Sequence, residues 1–247
     1  MKISIITVCY NSRDTIEKTF QSIKSQSYQN IEYIVVDGGS NDGTLKIIEL
    51  YNKEITKYIS ESDKGLYDAM NKGIALATGE LIGILNSDDV FTDNKVIENI
   101  IKFHKKNNVD ASLGNVTQFS KGGKTVRKYS AKNWIPEKLK FGFMPPHPSI
   151  FFKKELFEKH GNYHLDYVSG ADYELIVRFF LKHNISWKFS NITTTAMLIG
   201  GISSSGVSSY LLISKEIIRA LSRNGIRFNS LKIYLRGFWK LLGLINK

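Results

Sequence analysis

The chain has 247 residues, 42% of them hydrophobic, which is enough to bury one large core and excludes a disordered chain. No window approaches the roughly 18 uninterrupted apolar residues of a membrane span, and MKISIITVCYN turns polar too early for a signal peptide, so a cytoplasmic protein is expected. The net charge of +11 is uneven: from Ser203 onward eight Lys or Arg face one acid, Glu216, so any basic partner surface is local.

In chain order, KISIITV (2–8), IEYIVVD (31–37) and ELIGIL (80–85) read as strands rich in Ile and Val, with both faces covered as in a parallel sheet. Cys9, the single cysteine, has no disulfide partner and no neighbouring zinc ligands, and reads as a small hydrophobe at the end of the first strand. Between the first two strands, Ile16, Phe20 and Ile23 recur at helical spacing after Ser12. GGSNDGT is a turn followed by a helix at LKIIELYNK; ITKYIS is a weaker strand, and LYDAMNKGIALAT a helix. This alternation to about residue 106 predicts an α/β sheet. Beyond it, ASLGNVTQF and TVRKYS form a hairpin, FGFMPPHPSIFF is a loop entering a strand, and KKELFEKHG and SGADYELIVRFFLKHN are helical. The expected organisation is a catalytic domain over 1–202 and a basic helical tail over 203–247.

In open α/β sheets ligands bind outside the carboxyl ends of the strands, and three polar clusters fall there. Tyr10 either stacks on a flat base or packs half-buried. Asp37 either accepts hydrogen bonds from a base or ribose or caps its own turn. Asp88 and Asp89 are adjacent carboxylates, which cannot serve one ligand from a continuing strand, so the chain must turn there. Thr92 and Asp93 stand closer to the next helix and can cap it, which leaves the pair for a divalent cation such as Mn²⁺ or Mg²⁺ and a diphosphate. Asp172 opens a later helix and suits general-base catalysis or simple helix-end charge. His147 contacts a donor diphosphate or metal, or fixes its loop.

In this order, SIITVCYNS, IEYIVVDGGSNDGT, ESDKGLYDAMNKGIALATGELIGILNSDDVF, HPSIFF and GADYEL resemble the family 2 inverting glycosyltransferases, in particular the bacterial enzymes that build colanic acid, O-antigen and capsule. The resemblance spans about residues 1–200. It implies a GT-A fold, a Rossmann-like mixed sheet flanked by helices, with a C-terminal helical extension. It also implies transfer from a nucleotide-diphosphate sugar, assisted by a divalent cation, to a glycan or lipid-linked glycan. Carried over by position, Tyr10 and Asp37 contact the donor base, Asp63 lies beside the nucleotide, Asp88 is nearer the ribose, Asp89 contacts the metal and Asp172 is the base. Where many relatives carry Ala-Arg-Asn this chain has Ala69, Met70 and Asn71, so Lys72 or Lys64 is left to supply positive charge, or each is simply a solvated lysine. Where relatives carry Glu-Asp it has Ala171 and Asp172.

Gly200 to Gly206, GGISSSG, reads as a loop closing over the diphosphate or as a linker. In the tail, Lys215, Arg219 and Arg223, then Lys232, Arg236 and Lys240, recur every four residues beside an apolar face of Leu231, Tyr234, Leu235, Phe238, Trp239, Leu242 and Ile245. Such a face suits an anionic membrane, or packs on the catalytic domain or a second copy. Two rival readings remain. A nucleotidyltransferase would carry a glycine-rich loop after the first strand, which TVCYNSRDT lacks; a non-catalytic membrane or nucleic-acid binder would rest on the tail alone, and no nucleic-acid motif accompanies it.

Overall fold

The structure, a computed structural model, describes residues 1–120, 124–198 and 207–237. Its centre is a nine-stranded mixed sheet. Three strands form its parallel half with a fourth: β1 (Ile3–Cys9) lies between β2 (Ile31–Asp37) and β4 (Leu81–Ile84), and β3 (Lys57–Ser60) flanks β2. Every residue of β1 is buried, which is why its Ile and Val run has no polar face. The helices α1 (Ile16–Lys24), α2 (Thr44–Leu50) and α3 (Leu66–Leu76) make the crossovers.

The second half adds strands of the opposite sense. β8 (Ile150–Lys153) runs antiparallel to β4, and β6 (Ala111–Phe119) antiparallel to β8. β7 (Thr125–Ser130) pairs with β6 as the expected hairpin. β9 (Trp187–Leu198) runs parallel to β6 and ends against β5 (Asp89–Phe91), pairing Met197 with Asp89. Neither β5 nor β9 is predicted by the sequence. A core of Ile16, Phe20, Val35, Ile97 and Ile100 fills one face, beneath α1 and α4 (Val96–Asn107). The opposite face packs α3, α5 (Glu155–His160), α6 (Ala171–Ile176) and the π-helical turn Val177–Lys182, through Ile6, Val36, Phe152, Phe179 and Phe180.

The tail joins this second core. On α7 (Val207–Arg223) Ile217, Ala220 and Leu221 are buried, and so is Ile233 of α8 (Ser230–Tyr234). Arg219 and Arg223 of the first basic stripe pair with Asp166, so that part of the charge faces the protein itself. Of the residues flanking the second stripe, Leu231, Tyr234 and Leu235 are exposed, while Phe238, Trp239, Lys240, Leu242 and Ile245 lie outside the described residues, as does the segment 199–206 with its GGISSSG. Among the described residues no helix is long and apolar enough to cross a membrane.

Candidate active site

The carboxyl ends of β1, β2 and β4 open on one edge of the sheet, and the chemistry-bearing residues collect there. After β1, Asn11 takes a left-handed conformation (φ 49°), in which its backbone N–H donates to Ser40 Oγ (2.8 Å) and its Oδ1 accepts from Asn41 N (3.0 Å). That turn pushes Tyr10 outward, 63% exposed, as an open aromatic face. Cys9 is buried, and burial with the nearby Asp37 charge pushes its thiol far up, out of the range of a reactive thiolate.

Asp37 is placed differently from Tyr10. Its carboxylate is fully buried and accepts from Gly39 N (3.0 Å), Ser40 N (2.9 Å), Ser40 Oγ (2.5 Å) and Ser60 Oγ (2.7 Å). In this structure it ties the turn after β2 to the end of β3. The acid that stands at the surface beside Tyr10 is Asp63. Gly38 makes room for it: a Cβ on Gly38 would lie 2.5 Å from Asp63 Oδ2 and 3.4 Å from Tyr10 Cδ2. Asp63 Oδ1 accepts from Gly65 N (2.8 Å), which fixes the carboxylate over the Gly38 backbone.

The chain turns before the paired acids, with Asp89 N donating to Asn86 O (3.0 Å), and β5 starts at Asp89. The two side chains therefore leave from a turn and from a strand start. Asp89 is 1% exposed, and its Oδ2 has no hydrogen-bond partner. Burial, then the charge of Asp88, raises its pKa well above the usual carboxylate range; burial also raises that of Asp88. Asp93 spends its Oδ1 on Lys95 N (2.7 Å) ahead of α4, so the pair is not needed there. Ser87 Oγ, 2.8 Å from Ser12 Oγ, joins this turn to the loop after β1. A buried, unpartnered carboxylate beside a second acid fits a hard cation that takes its remaining oxygens from a diphosphate. Among the described residues no group of three His, Cys, Asp or Glu forms an all-protein cage.

Asp172 lies in the first turn of α6, its side chain 18% exposed. Its Oδ1 accepts from Tyr173 N (2.7 Å) and from Tyr67 Oη (3.4 Å), and its Oδ2 is 3.3 Å from His147 Nδ1. Tyr67 is held beneath it by a stack on Tyr163, whose backbone exchanges two hydrogen bonds with Asn71 (2.8 and 2.9 Å). Burial and the Asp172 charge push the Tyr67 hydroxyl upward, so it stays a neutral donor. The sequence singled out neither Tyr67 nor its support; the signal was the tyrosine inside KGLYDAMN, one turn before Asn71 on the same helix.

Met70 is buried, so no side chain there reaches a nucleotide. The Lys72 ammonium is engaged by Glu61 (2.9 Å), Asp68 (3.6 Å) and the Ser62 carbonyl (3.2 Å). The structure thus groups Tyr10 with Asp63, Asp88 with Asp89, and Asp172 with His147 and Tyr67, and sets Asp37 and Lys72 in networks of their own.

An α/β sheet with acids gathered beyond its strand ends is the frame of the site, and comparison with known proteins gives its family. The glycosyl transferase family 2 model matches residues 4–170, and the chain belongs to that family. An uncharacterized glycosyltransferase of Mycobacterium tuberculosis is 34% identical over 181 residues, 71% of this chain and 68% of the relative. WfgD of Escherichia coli, a UDP-Glc:alpha-D-GlcNAc-diphosphoundecaprenol beta-1,3-glucosyltransferase, is 36% identical over 114 residues, 46% of this chain and 45% of that protein. The fold is that of S. aureus TarS (residues 1–349, in complex with UDP-GlcNAc), with a TM-score of 0.70 at 20% identity over 88% of this chain and 67% of TarS. It is also that of the mannosyltransferase PcManGT of Pyrobaculum calidifontis in complex with GDP-Man and Mn²⁺, with a TM-score of 0.65 at 17% identity over 99% of this chain and 70% of that one. The GT-A expectation holds, and the chain is a family 2 glycosyltransferase.

Proposed function

We propose that this glycosyltransferase moves a sugar from a nucleoside-diphosphate donor to an acceptor hydroxyl in one inverting displacement, with Asp172 as base and Asp89 holding a divalent cation, Mn²⁺ or Mg²⁺. The observation that supports the reading is the contrast between the two acids: Asp89 at the start of β5 buried with an orphaned oxygen, Asp172 at the start of α6 partly exposed.

Tyr10 stacks on the donor base and Asp63 offers Oδ2 to a base N–H, the part first expected of Asp37. Asp37 acts one step back, shaping the turn that lets Asp63 approach. Asp88 faces the ribose, and Asp89 with the donor diphosphate would hold the cation. When bound, that ion supplies neutralisation of the charge that develops on the leaving diphosphate. Asp172 accepts the proton of the acceptor hydroxyl as its oxygen attacks the anomeric carbon; Tyr67 and His147 hold the carboxylate for that approach. Inversion is the outcome of a single displacement with one base, and among the described contacts Asp172 is met by a phenol and an imidazole, with no second carboxylate placed for a double displacement.

The acceptor is a glycan on a lipid carrier, presented at an anionic membrane. Support comes from a surface next to the base. Tyr173, the neighbour of Asp172, donates to the carbonyl of Leu139 in the 3-10 helix Pro136–Phe141. That helix and α8 expose Ile135, Phe141, Leu231 and Leu235 among Lys132, Lys140 and Lys232, the last stacked over the Phe141 ring (5.3 Å). The test incubates the protein with a panel of UDP- and GDP-sugars and Mn²⁺ and measures released nucleoside diphosphate, with and without vesicles containing an anionic lipid and undecaprenyl-linked acceptor. Release that Asp89→Ala and Asp172→Ala both abolish is expected; full release by both variants overturns the site.

A further inference from the structure

The tail contains one acid among eight basic residues, and that acid is buried. Glu216 of α7 is 7% exposed, and its two carboxylate oxygens accept from successive backbone amides, Val168 N to Oε1 (2.6 Å) and Ser169 N to Oε2 (3.0 Å). Next in the chain is Gly170, the N-cap residue of α6, where a Cβ would lie 3.0 Å from both Cβ and Oε2 of Glu216. Asp172 follows two residues later. Just past the end of α7, Asn224 Nδ2 donates to Glu174 Oε1 (3.0 Å), and Glu174 is itself locked by Arg178 (2.9 Å). The helix that carries Asp172 is thus held just before that residue by α7 and just after it by the residue that follows α7.

We infer that Glu216 is a positioning residue for transfer: it fixes the strap 168–170, and through it the direction in which Asp172 meets the acceptor. This rests on the reading of Asp172 as the base. A carboxylate gripping two adjacent amides sets the angle of the strap as well as its distance, which one hydrogen bond would leave free. Reaction rates respond steeply to sub-ångström misplacement of a reacting group, so the loss should appear in turnover and leave donor affinity alone. Two features separate this role from general support of the fold: the residue acts through one side chain, and it lies on the acceptor side, away from Tyr10 and Asp63.

The experiment is a double-mutant cycle on full-length protein with Glu216→Gln and Asp172→Asn. Hydrolysis of the fastest sugar nucleotide in the UDP- and GDP-sugar panel supplies the rate, and calorimetric titration with that donor its affinity. Glu216→Gln should lower kcat about tenfold with donor affinity unchanged, and should slow the Asp172→Asn protein no further. Equal factors in both backgrounds, or an unchanged kcat, overturn the inference. Should Glu216→Gln fold poorly, Gly170→Ala presses on the same contact from the other side and is held to the same outcomes. Hydrogen exchange covers slow turnover: peptides within 165–173 should exchange about tenfold faster in Glu216→Gln, and unchanged exchange overturns the grip. Wild-type hydrolysis by Asp172→Asn defeats the base assignment and this inference with it, whereas an inactive Asp172→Asn beside a fully active Glu216→Gln defeats the positioning role alone.

Discussion

Asp37 closes β2 and Asp89 opens β5, both buried, 0% and 1% exposed, yet their surroundings are opposite. Asp37 receives three hydrogen bonds from the turn that follows it, one from Ser60 at the end of β3 and a longer one from Cys9 Sγ (3.5 Å); Asp89 has an oxygen without a hydrogen-bond partner and a second acid beside it. Buried charge is tolerated only when it is compensated. One of these carboxylates is therefore met by donors within the fold, and the other keeps an oxygen without one. Burial alone does not separate the two; the count of donors does.

The sharpest break between the two is in activity. Asp89→Asn should lower transfer about a thousandfold or more, while the ion-free protein becomes no less stable, because the unpartnered Oδ2 has no hydrogen bond to lose; unfolding and rate measurements on the same sample check both halves. Asp37→Asn should do the reverse in stability and cost about 3 kcal/mol, since an amide puts an N–H against donors that are already there; chemical denaturation reads it.

His104 extends the comparison to a third buried group, with Nε2 2.9 Å from Ser112 Oγ and Nδ1 orphaned. Burial lowers its pKa from 6.5 to about 4. Between those values the unfolded chain holds the proton and the folded one does not. Stability is thus complete above pH 6.5 and falls, by up to about 3 kcal/mol, as the pH drops toward 4. Denaturation of His104→Gln across that window should lack this share of the slope.

Mn²⁺ at about a hundred times its dissociation constant, with UDP or GDP present, should stabilise the wild type by about 2.7 kcal/mol, and Asp89→Asn by far less. A full thermal shift in Asp89→Asn would move the cation elsewhere. The smallest effect is expected of Ser60→Ala, which removes one of the donors to Asp37 and should cost about 1 kcal/mol without changing the Mn²⁺ shift.

The sequence made the parallel half of the sheet legible because β1, β2 and β4 are buried on both faces and written in Ile, Val and Leu. β9 was hidden for the opposite reason. WKFSNITTTAML mixes polar and apolar residues without a clean alternation, and its register with β6 shifts around Asn115, so no period of two survives. β5 is three residues long and exists only because β9 arrives from a hundred positions away. In the site, residue types and chain order marked the acids, but not their partners. That Asp37 is met by Ser60 across the turn could not be read from its own segment, and Glu216 was counted only as a minor offset to a basic tail.

The close approach at Gly38 ties positions 38 and 63 to one shared volume beside Tyr10. A side chain on 38 collides with the carboxylate of 63, so Gly38→Ser alone should weaken donor binding. An acid on 38 facing a glycine on 63 would return a carboxylate to the same volume beside Tyr10. Among sequences that share this edge, large residues at the two positions should exclude one another, and the pair should be exchanged together or not at all.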